Sequence, residues 1–378
     1  MPPRAGPTTP PPTQRSPLPD AAVSVASDTL PAEGAADSRR IDGDEPLPRG
    51  SVVGRYVVLA QLGSGGMGVV YTAHDPELDR KVALKLLRFG ASPADGLRLL
   101  REARALARLA HPNIVAVHDV GALGPGEAGG ELFIAMELIA GVTARAWLHQ
   151  RERTTREILA VYTAAGRGLA AAHQAGLVHR DFKPDNMMIG DDGRARVMDF
   201  GLARSDSGSV DVSSTSQPTA PDLRLTREGS LLGTPLYMAP EQWEGHTVDA
   251  RSDQFAFCVA LWEALYDTRP FAGATMPALM SAVTRGTIER PRASRRRVPR
   301  WIEGVLVRGL ARQPERRYPS MDALLLALER GLTRQRRRPL LLLGLAGGLA
   351  AAGVFGARAR RESACVAEGA AIAELWNA

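Results

Sequence analysis

The side chains whose types and spacing could do chemistry are gathered in one short stretch. His179-Arg180-Asp181-Phe182-Lys183-Pro184-Asp185-Asn186 is followed, thirteen residues after that Asn, by Asp199-Phe200-Gly201. Gly176-Leu177-Val178 precedes the motif and Met187-Met188-Ile189 comes after it. Polar residues framed in this way predict a catalytic loop suspended between two buried strands. A carboxylate, an ammonium group, an amide and a second carboxylate in this order belong to phosphoryl transfer.

The stretch resembles the catalytic loop and metal-binding turn of eukaryotic-like Ser/Thr protein kinases, with H-R-D, then an Asn, then D-F-G. Phe182 departs from the pattern, which has Leu there; the position packs rather than reacts, so an apolar replacement leaves the chemistry intact. The resemblance implies that Asp181 orients the acceptor hydroxyl and takes its proton, while Lys183 neutralises charge on the moving γ-phosphoryl group. Asn186 and Asp199 would supply hard oxygen ligands for Mg²⁺. His179 is expected to be structural, donating hydrogen bonds within the loop.

Gly63-Ser64-Gly65-Gly66-Met67-Gly68 satisfies G-x-G-x-x-G, a pattern that dinucleotide-binding folds share. The residues after the glycines discriminate: a dinucleotide fold needs a helix there, whereas Val69-Val70-Tyr71 reads as a strand, so the glycines form a hairpin over the phosphates of ATP. Lys85, in the apolar run Val82-Ala83-Leu84-Lys85, matches the family's strand lysine for the α and β phosphates, and the resemblance gives it Glu102 as ion-pair partner. By motif position, the adenine slot is expected between Leu62, Val70 and Ala83 above and Met188 below. Met136 stands at its back, and Glu137 and Ile139 offer backbone groups.

Gly233-Thr234-Pro235-Leu236-Tyr237-Met238-Ala239-Pro240-Glu241 resembles the peptide-docking segment, with Thr234 at the position characteristic of Ser/Thr specificity. Glu241 is expected to pair with Arg317, and Asp253 to brace the catalytic loop. The resemblance covers roughly Tyr56 to Leu332.

The elements that must position these groups are read from periodicity. Strands are predicted at Tyr56–Leu62, Val69–Ala73, Lys81–Leu87, Ile114–Val120 and Leu132–Leu138, with a helix over Leu97–Ala110. Beyond Gly141 helices dominate: 160–174, 252–266, 276–284, 301–312 and 320–330. The expectation is an α+β, two-lobed kinase fold, with a small five-stranded antiparallel sheet plus one helix (53–138) and a larger, mainly helical lobe (139–333).

Residues 1–52 form a tail, the first fifty residues holding eleven of the 27 prolines; such a segment cannot bury enough surface to offset its ordering entropy. It lacks the apolar run of a secretory signal. After a basic stretch at 334–338, Pro339–Ala357 is nineteen residues without a charge. At 1.5 Å per residue these would span roughly 28 Å, about the thickness of a bilayer core. The reading is a single transmembrane helix with the kinase domain cytoplasmic at a cell inner membrane and residues 358–378 as a short extracytoplasmic stub, as in bacterial receptor-type kinases. The net charge of +6 comes from arginines in the C-terminal third, and with aromatics scarce it points to membrane rather than nucleic acid. The run Arg285, Arg290, Arg292, Arg295, Arg296, Arg297, Arg300 reads as a solvated loop. Cys258, within an apolar run, reads as a small core residue.

The expected activity is non-specific Ser/Thr phosphorylation of proteins, with ATP and Mg²⁺. The competing reading is an inactive scaffold on the same fold, which the presence of Lys85, Asp181 and Asp199 disfavours. Between Asp199 and Glu241 a long polar segment carries many Ser and Thr. Arg180 resembles the arginine that engages activation-segment phosphates, so Thr226 and Ser230 are the expected sites of autophosphorylation between self-associated molecules.

Overall fold

The computed structural model describes residues 46–65, 68–88, 93–123, 131–200, 234–290, 296, 298–334, 351–356, 358 and 360–361. The glycine-loop tip (Gly66, Met67), Thr226, Ser230, residues 1–45 of the expected tail, 335–338 of the basic stretch, 339–350 and 357 of the expected span, and 359 and 362–378 of the expected stub lie outside them.

The small lobe is built on one antiparallel sheet. In chain order its strands are β1 (Val52–Val53), β2 (Tyr56–Gly65), β3 (Gly68–Asp75), β4 (Arg80–Arg88), β5 (Val117–Leu123) and β6 (Glu131–Glu137), with helix α1 (Pro93–Ala107) between β4 and β5. They lie side by side as β1-β2-β3-β4-β6-β5. The sheet therefore has six strands where the sequence pattern gives five. The extra one, β1, pairs Val52 with Val57 and Val53 with Tyr56, and two residues are too few for alternation to register. Strand β5 also begins later than expected, because its predicted first residues serve the other lobe. Ile114 bridges Val197 in parallel, and the Val115 N–H donates to the Val197 carbonyl at 2.9 Å.

The large lobe runs β7 (Gly141–Thr143), α2 (Ala144–Gln150), α3 (Thr155–Gln174), β8 (Met187–Gly190), β9 (Ala195–Val197), α4 (Pro240–Trp243), α5 (Ala250–Tyr266), α6 (Met276–Arg285) and α7 (Arg300–Gly309), then α8 over 321–334. Strands β7, β8 and β9 form a small sheet. The catalytic loop thus leads into a strand, β8, but no strand precedes it: Leu177 and Val178 have no strand partner among the described residues. The predicted leading strand is instead the unwinding end of α3. Gly176 at φ 76 adopts the left-handed conformation, its N–H donates to His173, and the Leu177 N–H reaches back to Ala172. This is a glycine-terminated helix stop, which points the chain into the loop.

Helix α3 starts as sharply as it ends. Thr154 Oγ1 accepts from the Glu157 N–H at 3.2 Å and the Glu157 carboxylate accepts from the Thr154 N–H at 2.8 Å, a reciprocal capping box. Helix α5 is buried all round from Ser252 to Leu261 and beyond, apolar from Phe255 to Trp262, as expected of a central pillar. Cys258 on α5 is buried as read, and burial pushes its thiol up to about 12. Around this pillar α3, α6, α7 and α8 share one core that includes Phe182 of the catalytic loop.

Within the basic run, Arg296 is not merely solvated: it donates to the Arg153 carbonyl at 3.0 Å and pairs with Asp267 at 2.8 Å. Among the described residues no helix is long and apolar enough to cross a membrane.

Candidate phosphoryl-transfer site

The catalytic loop is held in an unfavourable backbone shape by a buried carboxylate. Arg180 has φ 63, costly for a residue with a long side chain. Asp253, 1% exposed in the first turn of α5, accepts from the backbone N–H groups of His179 at 2.7 Å and Arg180 at 2.8 Å. Its remaining contact, with His173 Nε2 at 2.7 Å, ties the brace to α3. The brace is the one expected from sequence; His173 was not foreseen, since a helix-face histidine carries no motif signal.

His179 plays the structural part expected of it. Its Nε2 lies 2.9 Å from the Met198 carbonyl and its Nδ1 accepts from the Asp181 N–H at 3.3 Å. Only the neutral Nε2–H tautomer satisfies both. Its ring packs on Phe182 and Phe200, and Phe182 also packs on Phe257 of α5. A phenylalanine therefore fills the leucine position with a fully buried ring.

Around Asp181 the groups converge as the motif implies. Lys183 Nζ donates to Asp181 Oδ2 at 2.9 Å, and Asn186 Nδ2 donates to the Asp181 carbonyl at 2.8 Å and to Oδ2 at 3.2 Å. With its nitrogen so engaged, the amide oxygen of Asn186 is the group left as an acceptor. The Met198 backbone N–H donates to the Asn186 backbone carbonyl at 3.0 Å, which brings Asp199 next to Asn186. Asp199, itself at φ 55, contacts Lys85 Nζ across the cleft at 2.7 Å. An amide oxygen and a carboxylate fit a hard divalent cation. Among the described residues no group of three or more His, Cys, Asp or Glu side chains could hold a metal by itself; hard divalent cations also take phosphate and water oxygens.

Over the site, β2 and β3 pair Gly63 with Val70, Ser64 with Val69 and Gly65 with Gly68. The glycine motif is thus a hairpin, and a side chain at Gly68 would strike the Leu86 backbone carbonyl. Val70, Ala83, Met136 and Ile139 pack in one apolar cluster, as the adenine slot requires. Leu62, 54% exposed, and half-buried Met188 stand outside that cluster. Met198, unforeseen, belongs to it; its position before Asp199 was the available signal. At the hinge the Glu137 N–H is taken by the Ala116 carbonyl at 2.8 Å and its carboxylate meets Arg196 at 3.2 Å. The Ile139 N–H makes no hydrogen bond among the described residues.

The expected pair between Lys85 and Glu102 is not made. Glu102 Oε1 instead lies 3.3 Å from Arg98 and 3.7 Å from Arg180, while Lys85 holds Asp199. The reason is local: Arg98 is one helical turn away on α1, and Arg180 projects from the strained loop toward the same carboxylate.

Behind the docking segment, Arg317 uses all five of its N–H donors. Two reach Glu241 at 2.7 Å each, and the others reach the carbonyls of Ala311, Arg251 and Arg312. Burial alone would raise the Glu241 carboxyl. The hydrogen bonds and charge of Arg317, with the Ser252 hydroxyl, outweigh that and hold it below its usual range. Gln242 fixes the segment to the catalytic loop by donating to the Arg180 carbonyl at 2.9 Å. Thr234 opens a short 3-10 turn, Thr234–Tyr237; its side chain lies outside what is described. Tyr237 donates to Glu263 and accepts from Arg145, which grips Asp185 with two nitrogens at 2.8 Å. Arg145, Asp185 and Glu263 carry no separate sequence signal.

This fold and site define a protein kinase domain. Residues 56–325 match the protein kinase domain family, and the chain belongs to it, as a bacterial eukaryotic-like Ser/Thr kinase. It is 38% identical over 282 residues to the DNA damage-responsive serine/threonine-protein kinase RqkA of Deinococcus radiodurans, covering 74% of this chain and 40% of the relative. It is 35% identical to serine/threonine-protein kinase PknE of Mycobacterium tuberculosis over 74% of this chain and 46% of the relative. The chain thus spans less than half the length of these curated relatives. The crystal structure of the M. tuberculosis PknI kinase domain superposes with a TM-score of 0.54 at 29% identity, over 75% of this chain and 99% of that one.

Proposed function

We propose that this protein transfers the γ-phosphoryl group of Mg-ATP to Ser and Thr hydroxyls on proteins, itself included. The observation that carries this reading is the convergence of Lys183 and Asn186 on Asp181, with Lys85 and Asp199 in contact across the cleft. Asp181, fixed by two donors, orients the acceptor hydroxyl and accepts its proton as the new oxygen–phosphorus bond forms and the bond to the β-phosphate oxygen breaks, leaving ADP. Lys183 stabilises charge on the moving group, and Lys85 holds the α and β phosphates under the glycine hairpin. Asn186 and Asp199 would hold Mg²⁺, which would supply charge neutralisation at the phosphates. Incubation of the protein with γ-labelled ATP and Mg²⁺ should place label on Ser and Thr of an added protein substrate; absence of transfer under any divalent cation would refute it.

Regulation through 201–233 belongs to the same reading. Glu102 leans on Arg180; a phosphate on Thr226 or Ser230 would draw Arg180 away and release Glu102 to Lys85. Thr234 is reserved for substrate docking. Membrane attachment through 339–357 is supported by the uncharged run and by helical residues 351–356, where Val354 is 68% and Phe355 75% exposed. A single span at the inner membrane, kinase domain cytoplasmic, would concentrate the molecules for phosphorylation in trans.

A further inference from the structure

Beside the acceptor site the chain supplies a guanidinium of its own. Strand β7 pairs Thr143 with Met188, and Thr143 caps α2, its hydroxyl accepting from the Ala146 N–H at 3.2 Å. That register sets the first turn of α2 beside Asp185, three residues upstream of Met188. Arg145, in that turn, meets the Asp185 carboxylate as a fork, Nε to Oδ1 and Nη2 to Oδ2 at 2.8 Å each. The same Nη2 donates to the Tyr237 hydroxyl at 2.9 Å, which in turn donates to Glu263. Arg269 closes the chain on the other Glu263 oxygen at 3.1 Å. Burial, then the charge of Glu263, hold the Tyr237 hydroxyl well above its ordinary range, so it stays a donor at neutral pH.

This cluster lies where an acceptor peptide must pass. Asp185 adjoins Asn186, whose amide nitrogen holds Asp181 at 2.8 and 3.2 Å, and Tyr237 belongs to the segment that resembles the peptide-docking segment. The fork is also open to solvent: the side chains of Arg145 and Asp185 are 36% and 42% exposed, against 0% and 6% for Arg317 and Glu241. A buried pair serves the fold, whereas a half-exposed one this near the acceptor base meets whatever is docked. Among the described residues Arg145 is the one cation on Asp185. The charges of the cluster therefore cancel, Asp185 against Arg145 and Glu263 against Arg269.

We propose that Arg145 is a specificity-determining residue, an internal stand-in for a basic substrate side chain: it fills the carboxylate site at Asp185, so the enzyme takes acceptor sequences without selecting arginine or lysine near the Ser or Thr. A substrate arginine would have to displace a fork already made and leave Arg145 without its partner, a loss that offsets its own gain. The inference rests on the kinase reading above and adds to it the class of acceptor sequence.

The test is peptide phosphorylation by the full chain, using peptides with one Ser in a neutral background and a single Arg moved through the positions on either side. Wild type should give kcat/KM within about threefold of the Arg-free peptide at every position. Arg145→Met, which keeps the aliphatic bulk and uncovers Asp185, should gain roughly tenfold at one or two positions, seen as a lower peptide KM. Arg145→Gln, which can still reach the Tyr237 hydroxyl, should show the same gain. Adding Asp185→Asn to either should remove it, and Arg145→Lys, which keeps a charge, should not show it. A wild-type preference for Arg of roughly tenfold would overturn the proposal. So would an equal loss on all peptides in both the Met and Gln variants, the mark of a purely structural clip. A gain spread evenly over all positions and lost at high salt would assign the effect to long-range charge and overturn it as well. These outcomes leave the kinase reading standing; no transfer to any peptide by wild type would refute that reading and the proposal with it.

Discussion

The two halves of the cleft are built to different standards of permanence. Below it, Asp253, Glu241 and Arg317 are at most 5% exposed, and Arg317 meets Glu241 with two nitrogens. Above it, Glu102 rests on Arg98 and Arg180 at 3.3 and 3.7 Å, with side chains 17 to 37% exposed. Buried, fully hydrogen-bonded charge pairs are expensive to break on one side; long, half-exposed ones exchange for about 0–1 kcal/mol. The large lobe therefore holds the acceptor machinery ready, and the small lobe is where activity can be set.

That contrast is open to direct attack. The largest effect is expected from Arg317→Met, which leaves Glu241 buried and unpaired: a loss of about 3–5 kcal/mol, seen as an earlier midpoint in urea unfolding. A change within experimental error would mean the buried pair is not what fixes the docking segment. Next comes Phe182. Truncation to Ala should cost about 3–5 kcal/mol by opening a cavity against His179 and Phe257, whereas Phe182→Leu, the residue usual in the family, should cost less than about 1.5 kcal/mol. Equal costs would contradict the packing described.

Acid should separate the halves as well. Glu241 is held below its usual range when folded, so its contribution is present above the unfolded carboxyl value of about 4.3 and is lost as pH falls through the lower folded value. Thermal midpoints measured from neutral pH downward should drop below about pH 4. Glu241→Gln should start lower and fall less steeply, and a parallel profile would remove Glu241 from the acid response. Smallest is the upper exchange. A double-mutant cycle on Glu102 and Arg180 in unphosphorylated protein should give coupling of about 1 kcal/mol or less, and a larger value would make the pair a fixed structural element.

The same division separates the parts that were legible in the sequence from those that were not. Asp181, Lys183, Asn186, Asp253 and the Glu241–Arg317 pair could be read because motif order fixes them. The Lys85–Glu102 pair was expected and is absent, since pattern cannot weigh a partner one helical turn away, Arg98, against one across the cleft. Strand β1 was missed for its length, and the strand expected before the catalytic loop proved to be a helix stop at Gly176. His173 and Arg145 act through tertiary contact alone, with no local spacing to announce them, and Met198 was marked only by its place before Asp199.

The acceptor machinery is tested most directly by single-turnover transfer from labelled ATP, measured beside ATP affinity in wild type and Asp181→Asn. Loss of the positioned base should slow transfer by at least about 10²-fold with ATP affinity nearly unchanged, because Asp181 acts on the acceptor hydroxyl and Lys85 and Asp199 on the nucleotide. Transfer within about tenfold of wild type, below the usual range for a general base, would contradict the role given to Asp181 and with it the central claim.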